Sequence, residues 1–421
     1  MNKSAMIENG EQMVALRKLI RYAAEHSPYY RETLNGYIDL LGEFKIEEYK
    51  KLPFTTKEDL AANNEGFLSV PKNKIAEYVT TSGTTGDPIS LYLTKNDLTR
   101  LAKNERDSLA LMGNTSDDLF QLLTTIDKQF MAGLAYFLGV QELNAGMIRI
   151  GPGVPQLQWQ SILKYKPTKL IAVPSFIVTL IEYAKENNID FKNSSVEAIV
   201  CIGEPIRNDD LSFNTLGERI INDWNIKLFS TYASTEMGAA FSECEAQQGC
   251  HLNADLLFLE VLKEDGNEAL DGESGEIVVT TLDVEGTPLI RYRTGDIAKV
   301  YHQKCSCGRD TPRLGPIIGR KKQMIKYRGT TLYPKAIFEV METFSEISCY
   351  KVLINKDELN NDEITILLEE KIESMEVFGK IRELCQSRLR VIPKFQFIEA
   401  NALRAKVYVK HLRKPEKIKF S

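Results

Sequence analysis

The chain has no apolar run near the ~18 residues a membrane-spanning helix needs, so no membrane span is expected. Residues 1–10 carry one lysine and no apolar core, which removes the signature of a secretion signal and leaves a cytoplasmic protein as the expectation. Charge of one sign is also lacking. A net charge of -5 gives no reason to expect nucleic acid, and the locally basic stretch from Arg404 to Lys419 reads as solvated surface. Seven cysteines are too few in so long a chain for a disulfide framework, which leaves thiols or metal ligands. There is no internal repeat and no low-complexity segment. What remains is ordinary for a globular enzyme: 43% hydrophobic and 26% charged residues, in a length of 421 that calls for at least two domains.

Thr80-Thr81-Ser82-Gly83-Thr84-Thr85-Gly86-Asp87-Pro88 follows the short apolar-aromatic stretch Ala76 to Val79. Gly83 and Gly86 let the backbone come close to a ligand, and the hydroxyls of Thr81, Ser82, Thr84 and Thr85 can donate to anionic oxygens. A polyphosphate clamp is the chemistry this composition suits. The common Gly-x-x-x-x-Gly-Lys-Ser/Thr loop is excluded, because Asp87 stands where its lysine would be.

The first 70 residues read as helical and polar, with a capping signal at Thr55-Thr56-Lys57-Glu58. From residue 169, β-branched runs (Leu170 to Val173, Ala198 to Ile202, Lys227 to Ser230) alternate with helical stretches such as Phe176 to Asn187, the pattern of a parallel sheet covered on both faces. Each run ends in a distinctive turn: Pro174-Ser175, Gly203-Glu204-Pro205, and Thr231 to Gly238. Ligands of open α/β sheets sit at the carboxyl ends of strands, so these turns are where a site is expected. Beyond about residue 256 the texture becomes antiparallel, and a boundary falls near Gly319-Arg320-Lys321-Lys322. The fold expected is α/β. A large N-terminal domain over 1–320 has parallel-rich sheets and a smaller antiparallel part, and a small mobile α+β domain follows over 321–421.

Three further segments bear on chemistry. In Tyr232-Ala233-Ser234-Thr235-Glu236-Met237-Gly238 an aromatic face, a hydroxyl and a carboxylate stand within five residues, and a carboxylate is what a magnesium ion bridging phosphates needs. Asp296, in Arg291-Tyr292-Arg293-Thr294-Gly295-Asp296, could accept from both ribose hydroxyls. The third is Gly319-Arg320-x-Lys322.

Together and in this order, these segments resemble the adenylate-forming superfamily of acyl-CoA synthetases, adenylation domains and luciferases. Within it the chain looks most like the phenylacetate-CoA ligase group, through Ser27-Pro28-Tyr29-Tyr30-Arg31, Leu52 to Leu60, Glu243 to His251 and Cys305-Ser306-Cys307-Gly308-Arg309. The resemblance covers residues 25–345 well and weakens towards the C-terminus. It implies an ATP-dependent ligase that turns an aryl or arylacetyl acid into an acyl-adenylate and passes it to CoA. The alternatives are transfer to the phosphopantetheine of an acyl carrier protein, or a non-catalytic binding relative. A homodimer is the assembly expected.

The resemblance also implies roles. The loop from Thr81 to Gly86 would clamp the β and γ phosphates of ATP; Thr235 would touch the α phosphate while Glu236 holds Mg2+. Gly203, Glu204 and Pro205 would border the adenine, with Tyr232, Ala233 and Ser234 against its face. Asp296 would bind the ribose with Arg320 nearby, and Lys322 would be the hinge of the small domain. The lysine that bridges carboxylate and α phosphate is read as Lys410, since Lys410-x-x-Arg413 keeps the group's spacing, with Lys406 and Lys414 as alternatives. The glycine usual before that lysine is missing, and Asp87 replaces a lysine and repels triphosphate.

The acid's pocket is expected along Phe130 to Phe137, with Phe130, Leu134, Ala135 and Tyr136 as its lining, and at Gly203, Thr231 and Ala233. An aromatic stripe at helical spacing is also what a core helix shows. Cys244, His251, Cys305 and Cys307 match cysteine and histidine positions of the group and would complete a closed, structural zinc site. Free thiols are the alternative. Adjacent Cys250 and His251 cannot easily bind one ion. Cys201, Cys349 and Cys385 fall in apolar patterns and read as core.

Overall fold

The computed structural model describes residues 10–37, 45–81, 89–327, 330–356, 362–373, 376–408 and 416–420. The chain forms two compact units, 1–294 with 298–317, and 295–297 with 318–421. The first unit opens with four helices, α1 (Gly10–His26), α2 (Pro28–Thr33), α3 (Ile46–Tyr49) and α4 (Lys57–Ala62). Thr56 caps α4 by accepting from the Asp59 N–H, and Asp59 returns the bond to the Thr56 N–H, satisfying two otherwise orphaned donors. Strands β1 (Glu77–Thr80) and β2 (Ser90–Leu93) then pair antiparallel across the hydroxyl-rich loop. Thr81 closes the base of that loop: its N–H donates to the Ile89 carbonyl at 3.0 Å and its hydroxyl accepts from the Ile89 N–H at 3.1 Å. Of the proposed phosphate contacts, Ser82, Gly83, Thr84, Thr85 and Gly86 lie outside the described residues, as does Asp87.

Next come α5 (Lys95–Leu111), β3 (Leu119–Leu122), α6 (Met131–Glu142), β4 (Gly146–Arg149), α7 (Pro155–Tyr165), β5 (Lys169–Ala172), α8 (Pro174–Glu186), β6 (Ala198–Cys201), α9 (Thr215–Asp223) and β7 (Lys227–Ser234). Short strands follow: β8 (Ala239–Glu243), β9 (Cys250–His251), β10 (Leu257–Leu262), β11 (Ser274–Thr281), β12 (Tyr292–Tyr301) and β13 (Arg313–Leu314). They make one sheet in the order β10-β11-β12-β13-β9-β8-β7-β6-β5-β3-β4. From β4 to β7 every pair is parallel, and from β7 through β8 and β9 to β13 the pairing is antiparallel. Alternating side chains of the parallel half feed two cores. Leu170, Ile199 and Leu228 pack with Trp159, Ile177 and Trp224 of the α7–α9 side, whereas Ile171, Val200 and Phe229 pack with Leu109, Tyr136 and Val140 of α5 and α6. A third core joins α1–α4 to the antiparallel half.

Thr231 to Ser234, expected in a turn, extend β7 and pair with β8, Tyr232 opposite Phe241; the turn is confined to residues 235–238. The two chains of a tight hairpin satisfy each other's backbone groups, so the strand persists past the point where its parallel neighbour β6 ends.

The second unit contains β14 (Gly319–Arg320), β15 (Ile325–Tyr327), β16 (Thr330–Leu332), α10 (Pro334–Glu342), β17 (Lys351–Lys356), β18 (Asp362–Glu369), α11 (Glu370–Glu373), α12 (Glu376–Leu384), β19 (Lys394–Ile398), α13 (Ala400–Val407) and β20 (Ile418–Phe420). Its main sheet runs β19-β18-β17-β20. After α12 the chain passes into a π-helical turn, Cys385–Leu389, and stops at Arg390 in the left-handed region (φ 61°). The basic tail is not merely solvated: β20 pairs with β17, and the buried Lys351 ammonium joins Glu416 and the Lys406 carbonyl.

Candidate active site and metal cluster

The turns after β5, β6 and β7 lie at the carboxyl ends of the parallel strands. The first two are tied together by Glu204, whose carboxylate accepts from the Ser175 N–H at 2.9 Å and the Ser175 hydroxyl at 3.0 Å. Val173, the residue that should cap α8, has no side-chain oxygen, so Glu204 supplies the cap from the neighbouring turn. Gly203 beside it sits at φ +73°, where a side chain would be strained. Gly203 and Pro205 are exposed. Thr231 donates to the Cys201 carbonyl at 2.9 Å, stitching β7 to β6. Tyr232 is half-buried against Phe241, and Ala233 is exposed on the other face.

The Ser234 hydroxyl accepts from the Met237 N–H at 3.3 Å and shapes the turn that holds Thr235 and Glu236. The Glu236 carboxylate, only 10% exposed, accepts from the Tyr292 hydroxyl at 3.3 Å and lies 3.9 Å from the Lys57 ammonium at the start of α4. A carboxylate held between a phenol and an ammonium is oriented, as a magnesium ligand must be.

Sequence reasoning missed what fixes this turn. The guanidinium of Arg100, buried on α5, donates to the carbonyls of Gly238 (2.7 Å), Leu282 (2.7 Å) and Leu256 (2.6 Å). Burial without a paired carboxylate pushes it down to about 10, against the pull of Asp97 and Asp283. One turn earlier Asp97 accepts from the N–H groups of Thr94, Glu285 and Gly286. A legible signal existed: Asp97, Arg100, Asn104, Glu105 and Ser108 recur at helical spacing, and all are buried.

The expected acid lining is split by helix geometry. Phe130 is the N-terminal flank of α6 and is 39% exposed, Leu134 is half-buried, and Ala135 and Tyr136 are buried. Of these, Tyr136 shares a core with Phe229 of β7, two residues before Thr231 on the same strand face.

In the second unit, Asp296 and Arg320 face each other across β12 and β14, with Arg320 Nε 3.3 Å from the carboxylate. Lys322 lies in the short 3-10 turn Lys321–Gln323. Lys406 is in the last turn of α13; Lys410 and Lys414 lie outside the described residues.

The sulfur and nitrogen atoms of Cys244, His251, Cys305 and Cys307 all lie within 4.8 Å of one another. Cys244 Sγ is 3.7 Å from Cys305 Sγ, and Cys307 Sγ is 3.6 Å from His251 Nε2. Ideal tetrahedral zinc requires edges of about 3.8 Å between sulfurs and about 3.6 Å from sulfur to nitrogen, so the four fit one ion with no open position. The other imidazole nitrogen, Nδ1, is 2.9 Å from Thr311 Oγ1, which orients the ring. Burial and the charges of Arg313 and Arg309 push His251 down to about 4, leaving the neutral form that ligates. Cys250 points to the opposite side of its strand, its sulfur 3.5 Å from the Ser230 carbonyl. Cys201, Cys349 and Cys385 are buried in apolar cores. No helix among the described residues is long and apolar enough to cross a membrane.

A parallel half-sheet covered on both faces, continued by an antiparallel half and followed by a small α+β unit, is the adenylate-forming fold. A solved structure of 2-hydroxyisobutyryl-CoA ligase in the postadenylation state, in complex with 2-HIB-AMP, shares it with a TM-score of 0.82, 22% identity and coverage of 99% of this chain and 90% of that one. The chain belongs to the AMP-binding enzyme family, which matches residues 37–284. It is 30% identical over 380 residues to the phenylacetate-coenzyme A ligase of Thermus thermophilus, spanning 89% of this chain and 82% of the relative. Its match to the phenylacetate-coenzyme A ligase of Escherichia coli K12 is 27% identical over 371 residues, 86% of this chain and 83% of the relative.

Proposed function

We propose that this protein is an ATP-dependent, AMP-forming acid–thiol ligase that activates an aryl or arylacetyl acid and transfers it to CoA. The observation that carries the reading is the Glu236 carboxylate, 10% exposed and held between Tyr292 and Lys57 after β7, in a chain that matches the phenylacetate-coenzyme A ligase of Thermus thermophilus over more than four-fifths of both lengths. In the first step a carboxylate oxygen attacks the α phosphorus, forming the acyl–O–P bond as pyrophosphate leaves. In the second, a thiolate attacks the acyl carbon, forming the thioester as AMP leaves. Both steps bring anions together, so the work asked of the protein is alignment and charge neutralisation.

The residues divide accordingly. Thr81 to Gly86 receive the β and γ phosphates, and Thr235 the α phosphate. Glu236 holds Mg2+, which when bound neutralises phosphate charge. Gly203 to Pro205 and Tyr232 to Ser234 bound the adenine, and Asp296 with Arg320 receives the ribose. Residues 1–320 act as the nucleotide- and acid-binding domain. Residues 321–421 act as the mobile one, turning at Lys322 and delivering Lys410 to the first step. Cytoplasm, where ATP and CoA are present, is the compartment this reading implies.

Cys244, His251, Cys305 and Cys307 hold a structural zinc ion. Metal analysis of the purified protein is expected to give about one equivalent, falling below half in Cys305→Ser; a metal-free wild type would exclude the ion. For the ligase reading the test is exchange of labelled pyrophosphate into ATP across a broad panel of acids. Exchange with at least one aryl acid is expected, and exchange with none would remove the reading.

A further inference from the structure

The buried polar stripe of α5 is answered at one end and unanswered at the other. Asp97 and Arg100 spend their polar atoms on backbone groups. One turn on, Asn104 and Glu105 do not. Glu105 is 4% exposed and Asn104 fully buried, yet among the described residues the Glu105 carboxyl accepts from its own neighbour alone, Asn104 Nδ2 at 3.2 Å. Glu105 Oε2 and Asn104 Oδ1 have no partner among the described residues. A buried carboxyl oxygen without a donor is among the costliest groups a core can keep, and it calls for an occupant.

Its surroundings say where that occupant would lie. α5 and α6 approach so closely that a Cβ on Gly139 would sit 2.3 Å from Glu105 Cβ. One turn before Gly139 on α6 is Tyr136, buried in one core with Phe229 of β7, two residues before Thr231 on the same strand face. Tyr136 shares a core with Leu109, one turn beyond Glu105 on α5, and burial first, then the Glu105 charge, hold its phenol well above the ordinary range. Thr231 in turn is fixed to the β6 backbone at the carboxyl end of the parallel sheet, where α/β enzymes bind small molecules. Asn104, Glu105, Tyr136 and Thr231 thus form a polar chain running from inside the α5–α6 layer to the strand ends. Ser194 Oγ and Trp224 Nε1, also unpartnered among the described residues, are single neutral groups far along the chain from this helix pair.

We infer that Glu105, with Asn104 beside it, is a specificity-determining acceptor for a hydroxyl group on the acid, so that the substrate is a hydroxylated aryl or arylacetyl acid rather than an unsubstituted one. The inference rests on the ligase reading and deepens it. A site whose buried acceptors are completed only by the substrate's hydroxyl discriminates strongly against the analogue without it, because the empty acceptors are then left dry. No atom of Glu105 takes part in bond making; its effect is on which acid is held.

The test is the ratio of kcat/KM for hydroxylated over unsubstituted acids, measured by pyrophosphate exchange with benzoate, phenylacetate and their 2-, 3- and 4-hydroxy derivatives. The wild type is expected to favour one hydroxylated acid at least about tenfold. Glu105→Leu should bring that ratio to about one or below, and Glu105→Gln, which keeps one acceptor oxygen, should fall between. Because both acids are compared within one variant, a loss of folded protein cancels. Should the leucine variant fail to fold, the isosteric glutamine variant decides. Exchange with unsubstituted acids at equal or better efficiency, or a ratio that survives in both variants, would overturn the inference and leave the ligase standing. Exchange with no acid would overturn both.

Discussion

Two stretches of a single helix bury charge in opposite ways. At Asp97 and Arg100, every contact is to backbone: the carboxylate of one takes three N–H groups and the guanidinium of the other gives to three carbonyls. At Asn104 and Glu105, two acceptors have no donor among the described residues. The difference separates positioning from recognition. A charge satisfied by backbone holds loops that are far apart in the chain, here the Glu236 turn and the segment around Leu282, and gains nothing from a ligand. A charge left short of donors costs stability until something completes it.

The contrast can be broken at either end. The largest effect is expected at Arg100. Arg100→Met removes three charge-assisted bonds and strands three carbonyls, for a loss of about 3–5 kcal/mol in urea unfolding, and Arg100→Lys should recover less than half because an ammonium cannot reach all three. A loss under about 1 kcal/mol would mean the guanidinium is not a staple.

Glu105 comes next, with a pH signature. Burial lifts its carboxyl from the ordinary range to about 7. The folded protein therefore keeps a proton that the unfolded chain releases. The stability this group contributes is complete below about pH 4.5, declines as pH rises through 7, and is gone above it. Glu105→Gln cannot titrate, so relative to wild type it should gain stability between pH 5 and pH 8, by up to about 3 kcal/mol. Urea midpoints at three pH values check this, and a pH-independent difference would place the carboxyl in a wetter setting than the structure gives it. The smallest effect belongs to Arg320. Its side chain is more than half exposed where it meets Asp296, so Arg320→Ala should cost less than about 1 kcal/mol in thermal unfolding. If Arg320 serves the nucleotide, KM for ATP will rise more than stability falls.

The same contrast explains what was legible in the sequence. The βα alternation after residue 169 could be read because buried strands and amphipathic helices each write their period locally. The cysteines and histidine that meet in space were named through the resemblance to the ligase group, whose positions they match, and strand alternation in the structure separates Cys250 from His251. The helical spacing of Arg100 with Asp97 and Asn104 was legible, but its acceptors were not, since they are carbonyls of Gly238, Leu256 and Leu282 and a backbone carbonyl carries no residue identity. Glu204 was read as a border of the adenine, but the structure also shows it capping α8, a role visible only once β5 and β6 are neighbours. Likewise the length of β7 depends on β8 folding back on it, which no local propensity encodes.

The central claim is that these elements serve an acyl-adenylate route to a thioester. Its most direct test is the product balance when the protein turns over ATP, CoA and an exchange-competent acid. One AMP and one pyrophosphate per acyl-CoA is the result this account predicts. ADP and phosphate in place of AMP and pyrophosphate would contradict it.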